Sequence, residues 1–320
     1  MMVISVMTHI FMEKNTLSLV LLLALAVHSS YAKGEEKAPQ EMKSTNKKIE
    51  VISIFGSHNQ LETATGSAVV ISEKALDLYE YDDIHRVLQS VPGVYVREED
   101  GYGLRPNIGL RGATSERSSK IALMEDGVLI APAPYAAPAA YYFPMMSRMS
   151  QVEVFKGPSA IQYGPNTVGG AINMVSRPIT DNAIEQGGEG MLDLAYGQDN
   201  YQKAHGYYSK NIASDNTLTG KGQVGLLVEG IHLGSDGFKE LVDNQGHDLD
   251  TGFDKNEVLM KLNYVPLNSA SNQFFQFKAG YGEEVSNETY LGLTDEDFAK
   301  GADVRYLASQ KDQMDWEHYQ

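Results

Sequence analysis

Between Met149 and Pro178 the chain reads MSQVEVFKGPSAIQYGPNTVGGAINMVSRP. Two alternating segments, Gln151–Lys156 and Ala171–Ser176, predict strands, and between them stand Gly157, Pro158, Gly164, Pro165, Gly169 and Gly170. Proline fixes φ and glycine reaches conformations closed to other residues, so the backbone here bends repeatedly and sits close to something else. This stretch is a compact strand–turn–strand wedge, and the rest of the chain has to be organised around it.

A chain of 320 residues with 42% hydrophobic and 21% charged residues is long enough for two domains. It has no cysteine, which removes disulfides, thiolate metal sites and thiol nucleophiles together. Eighteen tyrosines, one tryptophan and 30 glycines favour β structure with many turns. The net charge of −16 argues against the basic face that nucleic acid requires. It fits an acidic exposed surface or an acidic vestibule that draws cations.

Enzyme signatures are missing. Gly157-Pro158-Ser159-Ala160-Ile161 lacks the final glycine of a nucleophile elbow, and no glycine-rich turn ends in Gly-Lys-Ser or Gly-Lys-Thr. The eight histidines show no metal-ligand spacing. Asp248 and Asp250 have the spacing of a calcium loop, but Phe253 stands where its glycine belongs. No catalytic residue and no protein-held metal or cofactor is expected.

In chain order, Lys14 precedes the apolar run Leu17–Val27, and Ser30-Tyr31-Ala32 offers small residues for cleavage, so residues 1–32 read as a secretory signal. Lys33–Lys48 is charged and without apolar period, as a tether would be. Glu50-Val51-Ile52-Ser53-Ile54 then reads either as a first strand or as an extended recognition peptide. Ala68–Ile71 predicts a strand, with Ser72 and Asp82 as N-caps of two following helices. Pro92-Gly93 stops the second helix and Val94–Val96 resumes as strand. Ile108–Arg111 is another strand, and Lys120–Met124 with Val128–Ile130 forms a hairpin about Asp126-Gly127. Ala131–Pro138 is too proline-rich for regular structure; the aromatics beside it either pack or line a ligand mouth.

After Pro178, alternating segments at Met191–Tyr196, Tyr201–Lys210, Gln223–Leu233, Glu257–Tyr264 and Asn272–Tyr281 suit either barrel staves or a soluble sandwich. The residues alone leave the two open.

Lys156-Gly157-Pro158-Ser159-Ala160-Ile161-Gln162-Tyr163-Gly164, followed by Gly169-Gly170-Ala171-Ile172-Asn173, resembles the plug-domain signature of TonB-dependent outer-membrane receptors, as does Leu88–Val94. Arg111-Gly112, Asp126-Gly127 and Pro134-Tyr135 with Pro138 narrow the resemblance to the ferric dicitrate receptor branch, and so do Asn287–Thr294 and Gln310–Trp316. The implied fold is an α+β plug domain, a small mixed sheet with short helices, followed by the start of a transmembrane antiparallel β-barrel that this chain leaves incomplete. The implied domains are a signal at 1–32, a periplasmic tether with TonB box at 33–57, the plug at 58–180 and the first part of the barrel at 181–320. A barrel of about 22 strands needs more chain than follows residue 188, so the sequence reads as a fragment of a longer receptor.

The resemblance also implies partners and site residues. Glu50, Val51, Ile52, Ser53 and Ile54 would be the TonB box that pairs with the inner-membrane TonB energy transducer. Arg111 and Lys156 would form a buried charge lock with glutamates of the barrel wall, lysine replacing the usual arginine at the second position; an exposed salt bridge is the plainer alternative. Tyr102, Arg105, Arg117 and Tyr135 would face an anionic ferric chelate at the plug apex. A glutamine of the branch's ligand site falls at Ala137, which puts citrate itself in question. The resemblance places the protein in a Gram-negative outer membrane, in contact with lipid, with iron carried only inside its ligand.

Overall fold

A computed structural model of the protein describes residues 67–98, 101–131, 142–164, 167–179, 188–216, 220–241, 247–266, 273–287, 292–301 and 314–320. All of them lie in one unit, Ile49–Gln320. The signal, the tether, the Glu50–Ile54 peptide and the 132–141 segment with Tyr135 and Ala137 fall outside the described residues.

The wedge is the centre of a five-stranded sheet. Strands β1 (Ser67–Ile71), β4 (Ile121–Glu125), β5 (Val128–Ala131), β6 (Met149–Lys156) and β7 (Gly170–Ser176) lie in the order β1-β6-β7-β4-β5. Only the β4–β7 pair is parallel, so the sheet is mixed. A separate two-stranded ribbon pairs β2 (Val94–Val96) with β3 (Ile108–Leu110).

Strands β4, β6 and β7 are buried on both faces, which the apolar run Ile121–Met124 reflects and which in β6 and β7 takes in the polar Glu153 and Asn173. Ile121, Leu123, Val152, Val154, Ile172 and Met174 point to one core, closed by helix α2 (Ile84–Leu88) through Ile84, Val87 and Leu88. Ala122, Met124, Phe155 and Ala171 point to a second core with Ala160, from the turn at Pro158–Tyr163. Gly170 has φ 151, and a Cβ there would stand 2.2 Å from the Phe155 carbonyl oxygen, so this close crossing requires glycine. Asp126 and Gly127 both take positive φ, 49 and 77, as the tight β4–β5 hairpin demands.

Helix α1 (Glu73–Tyr79) starts after Ser72 as expected, although the serine hydroxyl makes no cap bond. The cap of α2 is Asp83, not Asp82; its carboxylate accepts the His85 N–H at 2.8 Å. Asp82 is thereby released to bond elsewhere.

The second sheet has six strands, β8 (Glu189–Tyr196), β9 (Gln202–Asn216), β10 (Gly220–Ser235), β11 (Phe253–Pro266), β12 (Phe275–Ser286) and β13 (Met314–Tyr319). Each pairs antiparallel with the next. Several run beyond the expected spans, β9 to Asn216 and β12 to Ser286, because the backbone ladder continues where apolar alternation fades. The polarity of the faces is inverted relative to a soluble sheet. Along β11 the residues facing the plug are Phe253, Lys255, Glu257, Leu259, Lys261, Asn263 and Val265, all buried, while Val258, Met260, Leu262 and Tyr264 point away. Leu192, Leu194, Phe275 and Phe277 on that outer face are 56–67% exposed. Apolar outside and polar inside is the arrangement of a strand facing lipid.

Strands β8, β10 and β12 finish at one end of this wall, and β9 and β11 at the other. The longer connections leave from the first end, the mouth of this wall. A short helix α3 (Asp295–Lys300) lies in its last loop. No described helix is long and apolar enough to cross a membrane.

Candidate functional site between plug and wall

Inward residues of β11 and β12 meet the plug in a network of buried charge whose hub is Arg148, 3% exposed, in the turn leading into β6. Its Nε donates to Glu257 Oε2 of the wall at 2.5 Å, and its Nη2 donates to Glu125 Oε2 of β4 at 2.9 Å and to the Tyr142 hydroxyl at 3.1 Å. Nη1 pairs with the second Glu125 oxygen. Glu257 also accepts the Met145 N–H at 3.1 Å. From β12, Lys278 donates to Glu125 Oε1 at 2.5 Å and to Asp126 Oδ2 at 2.7 Å. From β11, Lys261 donates to the carbonyls of Ser176 at 3.2 Å and Arg177 at 2.9 Å.

Two further ties flank this hub. Nearer the mouth, Glu284 pairs with Arg105 of the plug and lies 3.4 Å from Lys255, whose ammonium donates to the Phe143 carbonyl at 2.6 Å. On the β9 side, Asp82 accepts from the Tyr201 and Ser147 hydroxyls, both at 2.5 Å, and lies 3.2 Å from Lys203. Buried charges are tolerated only when paired, and guanidinium–carboxylate forks supply that pairing best. Burial alone would raise the Glu125 carboxyl, but Arg148 and Lys278 hold it well below the usual carboxylate range. Burial likewise opposes the charge on Arg148, and Glu125 and Glu257 overcome it, keeping the guanidinium firmly protonated. What the arrangement does chemically is pair opposite charges across the seam.

The expected lock residues stand elsewhere. Arg111 occupies an exposed turn at φ 52 with its guanidinium over Gly157. Lys156 is 4% exposed and donates to the Pro92 carbonyl at 2.8 Å. Burial first, then the like charge of Arg111, lowers the Lys156 pKa. The two come together, but among the described residues neither meets a wall carboxylate. Among the described residues, the plug arginines that meet wall carboxylates are Arg148 on Glu257, Arg105 on Glu284 and Arg177 on Glu229.

Of the apex candidates, Arg105 is 5% exposed and committed to Glu284, so it fastens the plug rather than facing a ligand. Tyr102 stands at the mouth, its hydroxyl accepting the Phe238 N–H at 3.0 Å and its ring centroid 4.8 Å from that of Phe253. Arg117 is half-buried, with its backbone N–H on Asn107 Oδ1 at 2.8 Å. Tyr135 and Glu50–Ile54 lie outside the described residues. Sequence reasoning missed Arg148, Glu125 and Asp82. The signal for Glu125 is its place at the end of the apolar strand Ile121–Met124: a carboxylate continuing a two-sided core strand must be paired.

Residues 60–171 match the family described as TonB-dependent Receptor Plug Domain. The Vitamin B12 transporter BtuB of Vibrio vulnificus is 24% identical over 303 residues, covering 90% of this chain and 44% of its own length. The chain thus spans less than half the length of the curated relatives it matches. Among solved structures, the ferric yersiniabactin uptake receptor FyuA from Yersinia pestis superposes with TM-score 0.52 at 20% identity, covering 69% of this chain and 32% of that one. The siderophore receptor PirA from Acinetobacter baumannii gives 0.51 at 16%, covering 70% and 32%. Residues 60–171 thus match the plug-domain model, and with the antiparallel strands that follow they share the fold of these solved receptors.

Proposed function

We propose that this protein serves TonB-dependent active uptake of a ferric chelate across the outer membrane, with ferric citrate or a related siderophore as ligand. The observation that carries the reading is the plug domain docked by paired buried charges on the polar face of a lipid-facing wall. In this reading the mouth binds the chelate, with Tyr102, Arg117 and Tyr135 as apex contacts. Binding frees Glu50–Ile54 to the periplasm, and the transducer adds to that peptide as a strand and pulls. The plug then rearranges against the wall, with no bond made or broken. The names of the siderophore receptors PirA and FyuA support an iron chelate. The B12 transporter relatives favour a second reading, a TonB-dependent receptor for a non-iron ligand.

The test is uptake of radiolabelled iron from ferric citrate in an iron-starved host lacking its own receptors, with and without its transducer, beside a parallel arm with labelled cobalamin. Transducer-dependent iron uptake that is lost in Ile52→Pro, which removes a strand donor, supports the first reading. Cobalamin uptake alone supports the second. Entry of either ligand without the transducer contradicts both.

A further inference from the structure

The wall grips residues 142–148 of the plug, which lead into β6. Lys255 donates to the Phe143 carbonyl, and Glu257 accepts from the Met145 N–H and from Arg148 Nε. Tyr142 is held differently. Its ring lies flat on the His318 imidazole, with centroids 3.7 Å apart at 12°, and edge-on to Trp316 at 5.2 Å and 83°. Both partners belong to β13, two positions apart and so on one face of it. The Lys255 ammonium lies 5.4 Å from the Trp316 ring and 5.9 Å from that of Tyr142, within cation–π reach of both. One hydrogen bond joins this ring to the hub, from Arg148 Nη2 to the Tyr142 hydroxyl at 3.1 Å.

The slot is not fully satisfied. Among the described residues, Trp316 Nε1 and His318 Nε2 are buried without a hydrogen-bond partner. A buried polar atom with no partner has lost its hydration and gained nothing in return, so an opening that lets water reach it recovers part of that loss. The hub is the opposite case. Arg148 is paired with both Glu125 oxygens and with Glu257, and parting such a pair uncovers charges that were already satisfied. The two sites adjoin: a cavity of about 10 Å³ is lined by Tyr142, Arg148, Glu257, Gly282, His318 and Gln320. That is about the smallest space that holds one water molecule. Tyr142, Arg148 and Glu257 already belong to the hub, so water held there touches the charge network.

We propose that this slot takes up water and is where the seam opens first, with Tyr142 as its latch: the ring leaves His318 and Trp316 before Arg148 leaves its carboxylates. Water then satisfies the two ring nitrogens, and the guanidinium gives up its tyrosine partner while keeping Glu125 and Glu257. The part this plays in transport rests on the uptake reading, in which the plug moves against the wall. Water entry does not, since it is read on purified protein without ligand or transducer, so the two fail separately.

Trp316 is the only tryptophan in the chain, so tryptophan emission reports the slot alone. The experiment is a urea titration of the full chain in detergent micelles. It follows the red shift of Trp316 emission as water reaches the indole and, in the same samples, protection of the plug from protease, with circular dichroism confirming the fold of each variant. The red shift should come at lower urea than the loss of plug protection. Tyr142→Leu removes both the ring and the hydroxyl and should lower the midpoint of the emission change by roughly 0.5–1 M, with a smaller shift in protection. Tyr142→Phe keeps the stack and should lie close to the parent protein. Red shift and loss of protection that coincide in the parent protein would overturn the proposal. So would an emission midpoint that Tyr142→Leu leaves in place, because β13 would then be fraying on its own account.

Discussion

The plug sheet and the wall are both β structure, yet they solve opposite solvation problems. In β7 every residue from Gly170 to Ser176 is buried, because helix and turn cover both faces. In β11 burial alternates residue by residue, and the buried set contains Lys255, Glu257, Lys261 and Asn263. The plug core is held by apolar area; its attachment to the wall is held largely by paired charge. Apolar contacts do not vanish at that seam, since Leu104 and Met145 of the plug pack with Ile231, Leu233 and Phe253 of the wall near the mouth. But the hub at Arg148 is ionic, and ion pairs can exchange partners or water where an interdigitated core cannot. Under the proposed uptake reading, this difference suits a domain that stays seated and is still moved.

The largest effect should come from breaking the seam at its hub. Arg148→Met strands Glu125 and Glu257 without their shared guanidinium, and removing one partner of a buried pair costs about 3–5 kcal/mol. In urea titrations of the micellar protein the plug should unfold at much lower denaturant while the wall keeps its β signal. Next comes the plug core: Ile172→Ala empties a fully buried position and should cost about 2–5 kcal/mol. Leu262→Ala on the outer face of the wall should shift the same transition far less, because that side chain is 37% exposed. Equal shifts for the two would erase the distinction between core and wall.

Acid should discriminate more finely. Arg148 and Lys278 hold the Glu125 carboxyl below its ordinary value of 4.5. A lowered pKa contributes stability that is fully present above the ordinary value and is given up as pH falls below it. Plug protection from protease should therefore be flat from neutral pH down to about that value and decline beneath it, and Glu125→Gln should flatten the decline. The smallest effect is expected at Lys300, which pairs with Glu296 and Asp297 on the surface of α3. Lys300→Ala should leave the unfolding midpoint unchanged.

Much of this was legible in the residues. The wedge of β6 and β7, the Asp126-Gly127 hairpin and the Pro92-Gly93 helix stop rest on local backbone chemistry, which a sequence displays directly. The wall strands were legible in place but not in extent, since their ends follow the hydrogen-bond ladder rather than side-chain period. Asp82 was misassigned as a cap because two consecutive aspartates, Asp82 and Asp83, both precede α2, and only tertiary contact with Tyr201 and Lys203 separates their roles. The seam was the least legible part. Arg148 and Glu257 are 109 positions apart, and nothing local to either announces the other. Arg105 carries the right charge for a ligand contact, and only its burial against Glu284 shows that the charge is already used.

The most direct test of a charge-held seam is a double-mutant cycle on Arg148→Met and Glu257→Gln, read as plug unfolding in urea. The account predicts strong coupling: with the arginine gone, losing the wall carboxylate should restore part of the lost stability, by about 1–3 kcal/mol. Strictly additive changes would mean that the two residues do not hold plug and wall together, and would contradict it.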